Sequence, residues 1–309
     1  MKLSSLQMAQ FVARGFLRFD AVVPAAINAQ FMQEAGTVRE DGNYKRVMQL
    51  LGELIATNDI PEVPAGVPLS AAFAQGSALQ KLLDLPVVRG ALMSLVGADP
   101  VFDHHFLHIT FPDRYYAAAG QHNVAQHTHQ DSTIDPRRAA FDVQIMYYPH
   151  EVTRDMGGTR FIPGTHLRRV SEVAIGRYQN ILGQQHMTCP AGTVLFLHHG
   201  MWHGGGVNHA EQVRYMYKVR INPSVPQVRL WDTSDLREDT AQRPIFFVKN
   251  KPAPDTVDNV LMTPEPWFEN DTGRLEYINR VRFWRQLTGD PQRDVDYWMT
   301  RIENEPRSH

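Results

Sequence analysis

Apolar and polar positions change their period once along the chain, near residue 100. Up to that point apolar side chains recur at helical spacing. Ser4-Ser5-Leu6-Gln7-Met8-Ala9-Gln10-Phe11-Val12 sets a serine cap before a periodic run, and Gly15 is placed to end it. Residues 15–20 read as a short strand, and Pro24 opens a second helix. Residues 79–96 are periodic again around Pro86, where a break is predicted because proline has no amide donor and clashes with the preceding turn. Residues 59–68 hold three prolines and read as a loop.

From Phe102 onward, short apolar or alternating runs replace the helical period: 105–111, 141–148, 159–162, 193–198 and 214–221. Turn-formers such as Pro112-Asp113, Asp155-Met156-Gly157-Gly158 and Pro190-Ala191-Gly192 separate them. Short strands with this punctuation predict a sandwich or barrel. Beyond about residue 225 the strand signal fades, and 275–287 and 294–302 look helical around a break at Gly289-Asp290-Pro291. No repeat or linker divides the chain. The expectation is one mainly β domain: a helical part over 1–100, a barrel-like core over about 101–225 and a helical part over 226–309.

Composition narrows the function. A formal charge of −2 gives no electrostatic case for nucleic acid or an anionic membrane as partner. No apolar run reaches the roughly 18 residues of a membrane span. The single Cys189 excludes an intrachain disulfide and a thiolate-rich zinc site. The start has no apolar stretch of the secretory type, so a cytoplasmic location is expected. Most of the fourteen histidines lie between His104 and His209, which directs attention to metal spacing.

Gln126-His127-Thr128-His129-Gln130-Asp131 contains an H-x-D. On a strand, residues two apart share a face, so an imidazole and a carboxylate there can bind one ion. Alone the motif is very weak, and a solvated or hydrogen-bonded pair in a turn accounts for it better. A second constellation follows. The apolar run Gly192-Thr193-Val194-Leu195-Phe196-Leu197 leads into His198-His199-Gly200-Met201-Trp202-His203, and Arg214 opens the next strand. Two histidines and one carboxylate on one face suit Fe(II) and leave positions open. A bidentate guanidinium placed near the metal can hold the far carboxylate of a 2-oxo diacid.

These pieces together resemble the phytanoyl-CoA dioxygenase family of Fe(II)/2-oxoglutarate oxygenases. The ordered set is His129-Gln130-Asp131, Gly157-Gly158-Thr159, Pro163-Gly164-Thr165-His166, Gly192 with Phe196, and then His203, Gly206, Asn208 and Arg214. Phe11-Val12-Ala13-Arg14-Gly15-Phe16 resembles the family's start, so the likeness spans about residues 6–222. It implies a double-stranded β-helix (a cupin-like jelly roll), with iron on His129, Asp131 and His203. It also implies Arg214 on the distal carboxylate of 2-oxoglutarate and Gln130 as a co-substrate contact. The implied reaction consumes O2 and 2-oxoglutarate, releases succinate and CO2, and hydroxylates a C–H bond of a small molecule. Halogenating relatives replace the carboxylate ligand by a small residue. Asp131 is present, so oxygen chemistry is expected. The family often has Gly-Asp where Gly192-Thr193 stands and Ser where Ala210 stands, which leaves local loop and co-substrate contacts open.

Other residues carry weaker expectations. Tyr147 is placed to line the co-substrate pocket or simply the core. His127 competes as an H-x-x-x-D ligand, and His198 or His199 competes as the distal one. His166 is expected to fix a loop. Lys218 and Arg220 share the face of Arg214 and either pair with an internal acid or an anionic substrate, or reach solvent. Trp202 and Trp231 are candidates for the substrate mouth or for packing. The basic, aromatic segment 281–287 packs on the core or on a second subunit, so a homo-oligomer is possible. Two other functions fit the same residues: a cupin-like metalloenzyme that does not use 2-oxoglutarate, and a non-catalytic β-barrel binding protein.

Overall fold

The computed structural model describes residues 1–36, 38, 43–44, 62–177, 180–225, 230–236, 255–268, 273–290, 293 and 295. The helical start is α1 (Ser5–Arg14), α2 (Ala25–Ala35), α3 (Ala78–Asp84) and α4 (Pro86–Val96). The Ser4 hydroxyl accepts from the Gln7 amide, and the Gln7 side chain returns to the Ser4 amide, so two orphan donors of α1 are satisfied. Gly15 closes α1 in the left-handed conformation. Pro86 is the first residue of α4, which is why the periodic stretch divides into two helices.

The described residues form eight strands, β1 (Phe16–Phe19) before the change of period and seven after it: β2 (Val101–Thr110), β3 (Val143–Tyr148), β4 (Thr159–Phe161), β5 (Gln185–His186), β6 (Thr193–His198), β7 (His203–Gly205) and β8 (Arg214–Asn222). Five form one antiparallel sheet in the order β1-β6-β3-β8-β2, and three form another in the order β5-β4-β7. The two sheets face each other across Met146, Tyr148, Leu195, Leu197 and Met216 on one side and Phe161 and Met187 on the other. This is the jelly-roll pairing of a larger and a smaller sheet. The barrel expectation is thereby corrected, because among the described residues the sheets do not close into one ring.

The outer face of the larger sheet carries Ile145, Tyr147, Phe196, Tyr217 and Val219, packed with Phe11 and Phe31 of α1 and α2. Every residue of β3 and β6 is therefore buried, and their apolar runs are continuous instead of alternating. The remaining α-helices among the described residues are α5 (Asp113–Ala118), α6 (Glu172–Ile175), α7 (Val257–Met262) and α8 (Gly273–Thr288). α8 is the basic, aromatic segment of the sequence. Its Phe283 packs on Phe11, Phe141 and His198. The helix expected over 294–302 and the first residues of the loop at 59–68 lie outside the described residues.

Candidate metal centre

The gap between the sheets opens on a cavity of about 360 Å³ lined from β2, β3, β7, β8 and the segment before Asp131. That segment is not a regular strand, contrary to the premise used for the H-x-D. Its one β-bridge joins His129, through its amide and carbonyl, to the carbonyl and amide of His203, both at 2.9 Å, and the Gln126 amide donates to the Gly205 carbonyl at 3.1 Å. One bridge is enough, because it sets the two imidazoles side by side with ring centroids 4.4 Å apart. The chain then bends at Asp131 and brings its carboxylate back to them. Asp131 Oδ1 lies 3.6 Å from His129 Nε2, and Oδ2 lies 3.5 Å from His203 Nε2.

Each imidazole is oriented by its other nitrogen. His129 Nδ1 lies 3.1 Å from the His127 carbonyl, and His203 Nδ1 lies 3.0 Å from the Met201 carbonyl. A carbonyl only accepts, so Nδ1 carries the proton in both rings and Nε2 presents a lone pair. Burial holds His203 down to about 4, so its ring is neutral at neutral pH. Ligand atoms from all three residues lie within 4.8 Å of one another, a group able to hold a metal ion. An ion about 2.1 Å from each ligand atom needs them roughly 3 to 3.5 Å apart, so the set is close to that spacing.

Asp131 is held from the protein side as well. Lys218 Nζ donates to Oδ2 at 3.0 Å, and His199 Nε2 is 3.6 Å from the same oxygen. Burial by itself would push this carboxyl up, but His203, Lys218 and His199 outweigh it and hold it well below the usual carboxylate range. The carboxylate is therefore ionised and pre-aimed at neutral pH.

Arg214 lines another part of the same cavity and is 3% exposed. Its Nη1 donates to the Gly157 carbonyl, and its Nη2 donates to Thr110 Oγ1 at 2.6 Å. Its Nε has no hydrogen-bond partner, and no carboxylate among the described residues pairs with the guanidinium. The Gly157-Gly158 pair explains itself here. Gly157 has φ +63°, and a Cβ there would lie 2.0 Å from the Val207 carbonyl oxygen. A Cβ on Gly158 would lie 1.9 Å from that of Met187. Side chains at either position would push apart the crossing that carries the carbonyl held by Arg214. Asn208, fully buried, donates to the Thr110 and Gln212 carbonyls and accepts from the Ala210 amide, which ties the loop before Arg214 to β2.

The structure thus gathers His129, Asp131, His203 and Arg214 around one cavity and leaves two candidates out. Tyr147 faces the opposite way: Met146 points inward, and alternation along β3 turns its neighbour to the helices. There Tyr147 donates to Asn28 Oδ1 at 2.5 Å and stacks edge-on with Phe31. Gln130 does not line the cavity, and its Nε2 donates to the Val170 carbonyl at 3.2 Å. Of the competing histidines, His127 is exposed, and His198 lies behind the sheet against Phe141. His199 reaches Asp131 without joining the group of three. His166 lies against α1, with Nε2 3.0 Å from the Val12 carbonyl. Trp202 is buried with Ile162, and Trp231 lies against Trp284, so neither lines the cavity. Arg220 pairs with Asp142 rather than reaching solvent unpaired. Sequence reasoning did not find Phe106, His108 and Thr110, which β2 contributes to the wall. Their i, i+2, i+4 spacing was the available signal, and it becomes informative only once β2 is known to pair with β8.

Residues 11–216, well over half of the sequence, match the family model for phytanoyl-CoA dioxygenase. The chain belongs to the phytanoyl-CoA dioxygenase family. It is accordingly a 2-oxoglutarate-dependent non-haem iron oxygenase, with Fe(II) and 2-oxoglutarate as its cofactors. Similar solved structures include the α-ketoglutarate-dependent carbocyclase SnoK from nogalamycin biosynthesis, at 16% identity over 71% of this chain and 83% of that one, TM-score 0.48. The epimerase SnoN from the same biosynthesis is 18% identical over 71% and 81%, TM-score 0.47. The non-haem monooxygenase ThoJ in a nickel complex is 16% identical over 92% and 98%, TM-score 0.47. No curated protein matches the sequence significantly. No helix among the described residues is long and apolar enough to cross a membrane.

Proposed function

We propose that the protein hydroxylates a C–H bond of a small molecule, holding iron on His129 Nε2, one Asp131 oxygen and His203 Nε2 and anchoring 2-oxoglutarate on Arg214. The observation that carries this reading is the buried Arg214 guanidinium without a carboxylate partner, in the same cavity as the two imidazoles and the carboxylate. An isolated buried charge is costly, so a site built around one is a site for an anion. Two imidazole nitrogens and one carboxylate oxygen on one side also suit Fe(II), with the remaining positions left for exchangeable groups.

Iron bound there supplies the activation of O2 that couples decarboxylation of 2-oxoglutarate, to succinate and CO2, with oxidation of the substrate. The rest of the work falls to the chain. Backbone carbonyls fix the proton on Nδ1 of His129 and His203 and leave Nε2 to the metal. Lys218 keeps the Asp131 carboxylate turned toward them. Arg214, steadied by Thr110 and the Gly157 carbonyl, offers its guanidinium to the distal carboxylate. Met146, Met216 and Ile109 give the cavity apolar walls that limit water around the reacting atoms.

The test is anaerobic addition of Fe(II) and then 2-oxoglutarate, followed by visible absorption. Chelation of a keto acid by iron in this ligand set gives a weak charge-transfer band, expected in the wild type and absent in His203→Ala. Iron binding without the band would overturn the reading and favour a metalloenzyme that does not use 2-oxoglutarate.

A further inference from the structure

Lys218 is the second cation of the cavity, and anchoring the co-substrate does not account for it. It is 7% exposed and lies four residues beyond Arg214 on the same inward face of β8. At the rise of a β-strand that separates the two Cα atoms by about 13 Å, too far for both residues to serve one carboxylate. Its Nζ is 3.0 Å from Asp131 Oδ2 and 5.9 Å from the centre of the Phe106 ring. Phe106 and Val124 line the cavity and are 52% and 75% exposed, so two large apolar side chains stand at its mouth.

The charges do not balance without a further ligand. Among the described residues that line the cavity, Arg214 and Lys218 are opposed by one acidic side chain, Asp131. On the function proposed above, a divalent metal and a dianionic co-substrate cancel each other and leave one positive charge in excess. The metal also draws on the carboxylate that Lys218 now holds. A buried ammonium left half-compensated in this way is unfavourable, because burial removes the water that would otherwise stabilise it. A single negative charge on the substrate removes it.

We infer that the substrate is an amphipathic monoanion: Lys218 receives its carboxylate-type group, and its apolar body lies against Phe106 and Val124. Lys218 is thereby a substrate-binding residue that determines specificity. The inference rests on the proposed function. The alternative is that Lys218 only clamps Asp131.

The experiment titrates octanoate, and separately the neutral 1-octanol, into the full-length protein loaded with Co(II) and 2-oxoglutarate, at constant ionic strength, by calorimetry. The wild type is expected to prefer octanoate by about tenfold or more, the scale of one charge-assisted contact. Lys218→Met, which keeps the apolar stem, is expected to lose the preference once its Co(II) site is saturated, at whatever Co(II) concentration that takes without the ammonium beside Asp131. Lys218→Arg is expected to keep it. Equal affinity for the two probes in the wild type, including binding of neither, overturns the inference. So does a Lys218→Met variant that retains the preference and binds Co(II) more weakly, which is the signature of a clamp. If Co(II) binds and 2-oxoglutarate does not, the proposed function fails instead, and the two failures are read from separate titrations.

Discussion

Replacing Arg214 by alanine tests the proposed co-substrate site most directly, because the structure sets the size of the effect. The guanidinium is 3% exposed, spends Nη1 on the Gly157 carbonyl and Nη2 on Thr110, and has Nε unpartnered. It is already in place, so binding 2-oxoglutarate costs little side-chain ordering. A hydrogen bond to a charged group contributes about 1.5–3 kcal/mol net. Two such bonds to one carboxylate, discounted for the internal contacts they must compete with, come to about 3 kcal/mol. At about 1.4 kcal/mol per decade, Arg214→Ala should weaken 2-oxoglutarate at least a hundredfold. Arg214→Lys keeps the charge but not the planar fork and should recover only part of the loss. The assay is calorimetric titration of 2-oxoglutarate into anaerobic Co(II)-loaded protein, with a thermal melt to confirm folding. Co(II) affinity should change little, since Arg214 touches none of the three metal-facing groups. A folded Arg214→Ala protein that binds 2-oxoglutarate within about threefold of wild type would refute the reasoning.

Two further outcomes concern groups outside the cavity. Tyr147→Phe removes the hydroxyl that donates to buried Asn28 and should cost about 1–3 kcal/mol of stability in urea melts, with 2-oxoglutarate affinity unchanged; weakened binding at full stability would put Tyr147 in the site after all. His166 is held down to about 3 by burial, against 6.5 when unfolded. The unfolded chain therefore takes up a proton that the native ring refuses, so this contribution to stability is complete above about pH 6.5 and is lost as pH falls toward 3. The slope is at most about 1.4 kcal/mol per pH unit, and His166→Gln should flatten the acid limb of stability by that much. An unchanged limb in urea melts between pH 6 and 4 would show that the buried ring does accept the proton.

Legibility differed between the parts of the molecule for identifiable reasons. Caps and breaks are local, so Ser4, Gly15 and Pro86 stand where the sequence placed them. The five longer apolar runs became β2, β3, β4, β6 and β8, because each carries enough apolar surface to be recognised without its partner. β5 and β7 are two and three residues long, and β7 is His203-Gly204-Gly205. Nothing apolar marks them, since they exist through pairing with β4. Gln130 and Tyr147 do not line the cavity, and for Tyr147 the reason lies in how its strand is covered. A strand's parity relative to a cavity depends on which face the neighbouring layer covers, and Tyr147 is claimed by α2.

The order and spacing of His129, Asp131, His203 and Arg214 in one chain, with glycines around them, were sufficient for the sequence to determine the family and the class of cofactor. Chemistry-bearing residue types and their separations survive in the primary structure. What only the tertiary structure decided is which groups converge without any sequence spacing to announce it. The single bridge between His129 and His203 sets the two rings side by side. Antiparallel pairing of β2 with β8 brings Phe106 opposite Lys218, and the bend at Asp131 delivers the carboxylate to that lysine. Each is a contact between distant segments that forms only once two sheets have closed around the cavity, because the free energy that holds it comes from burial and not from the chain's local preferences.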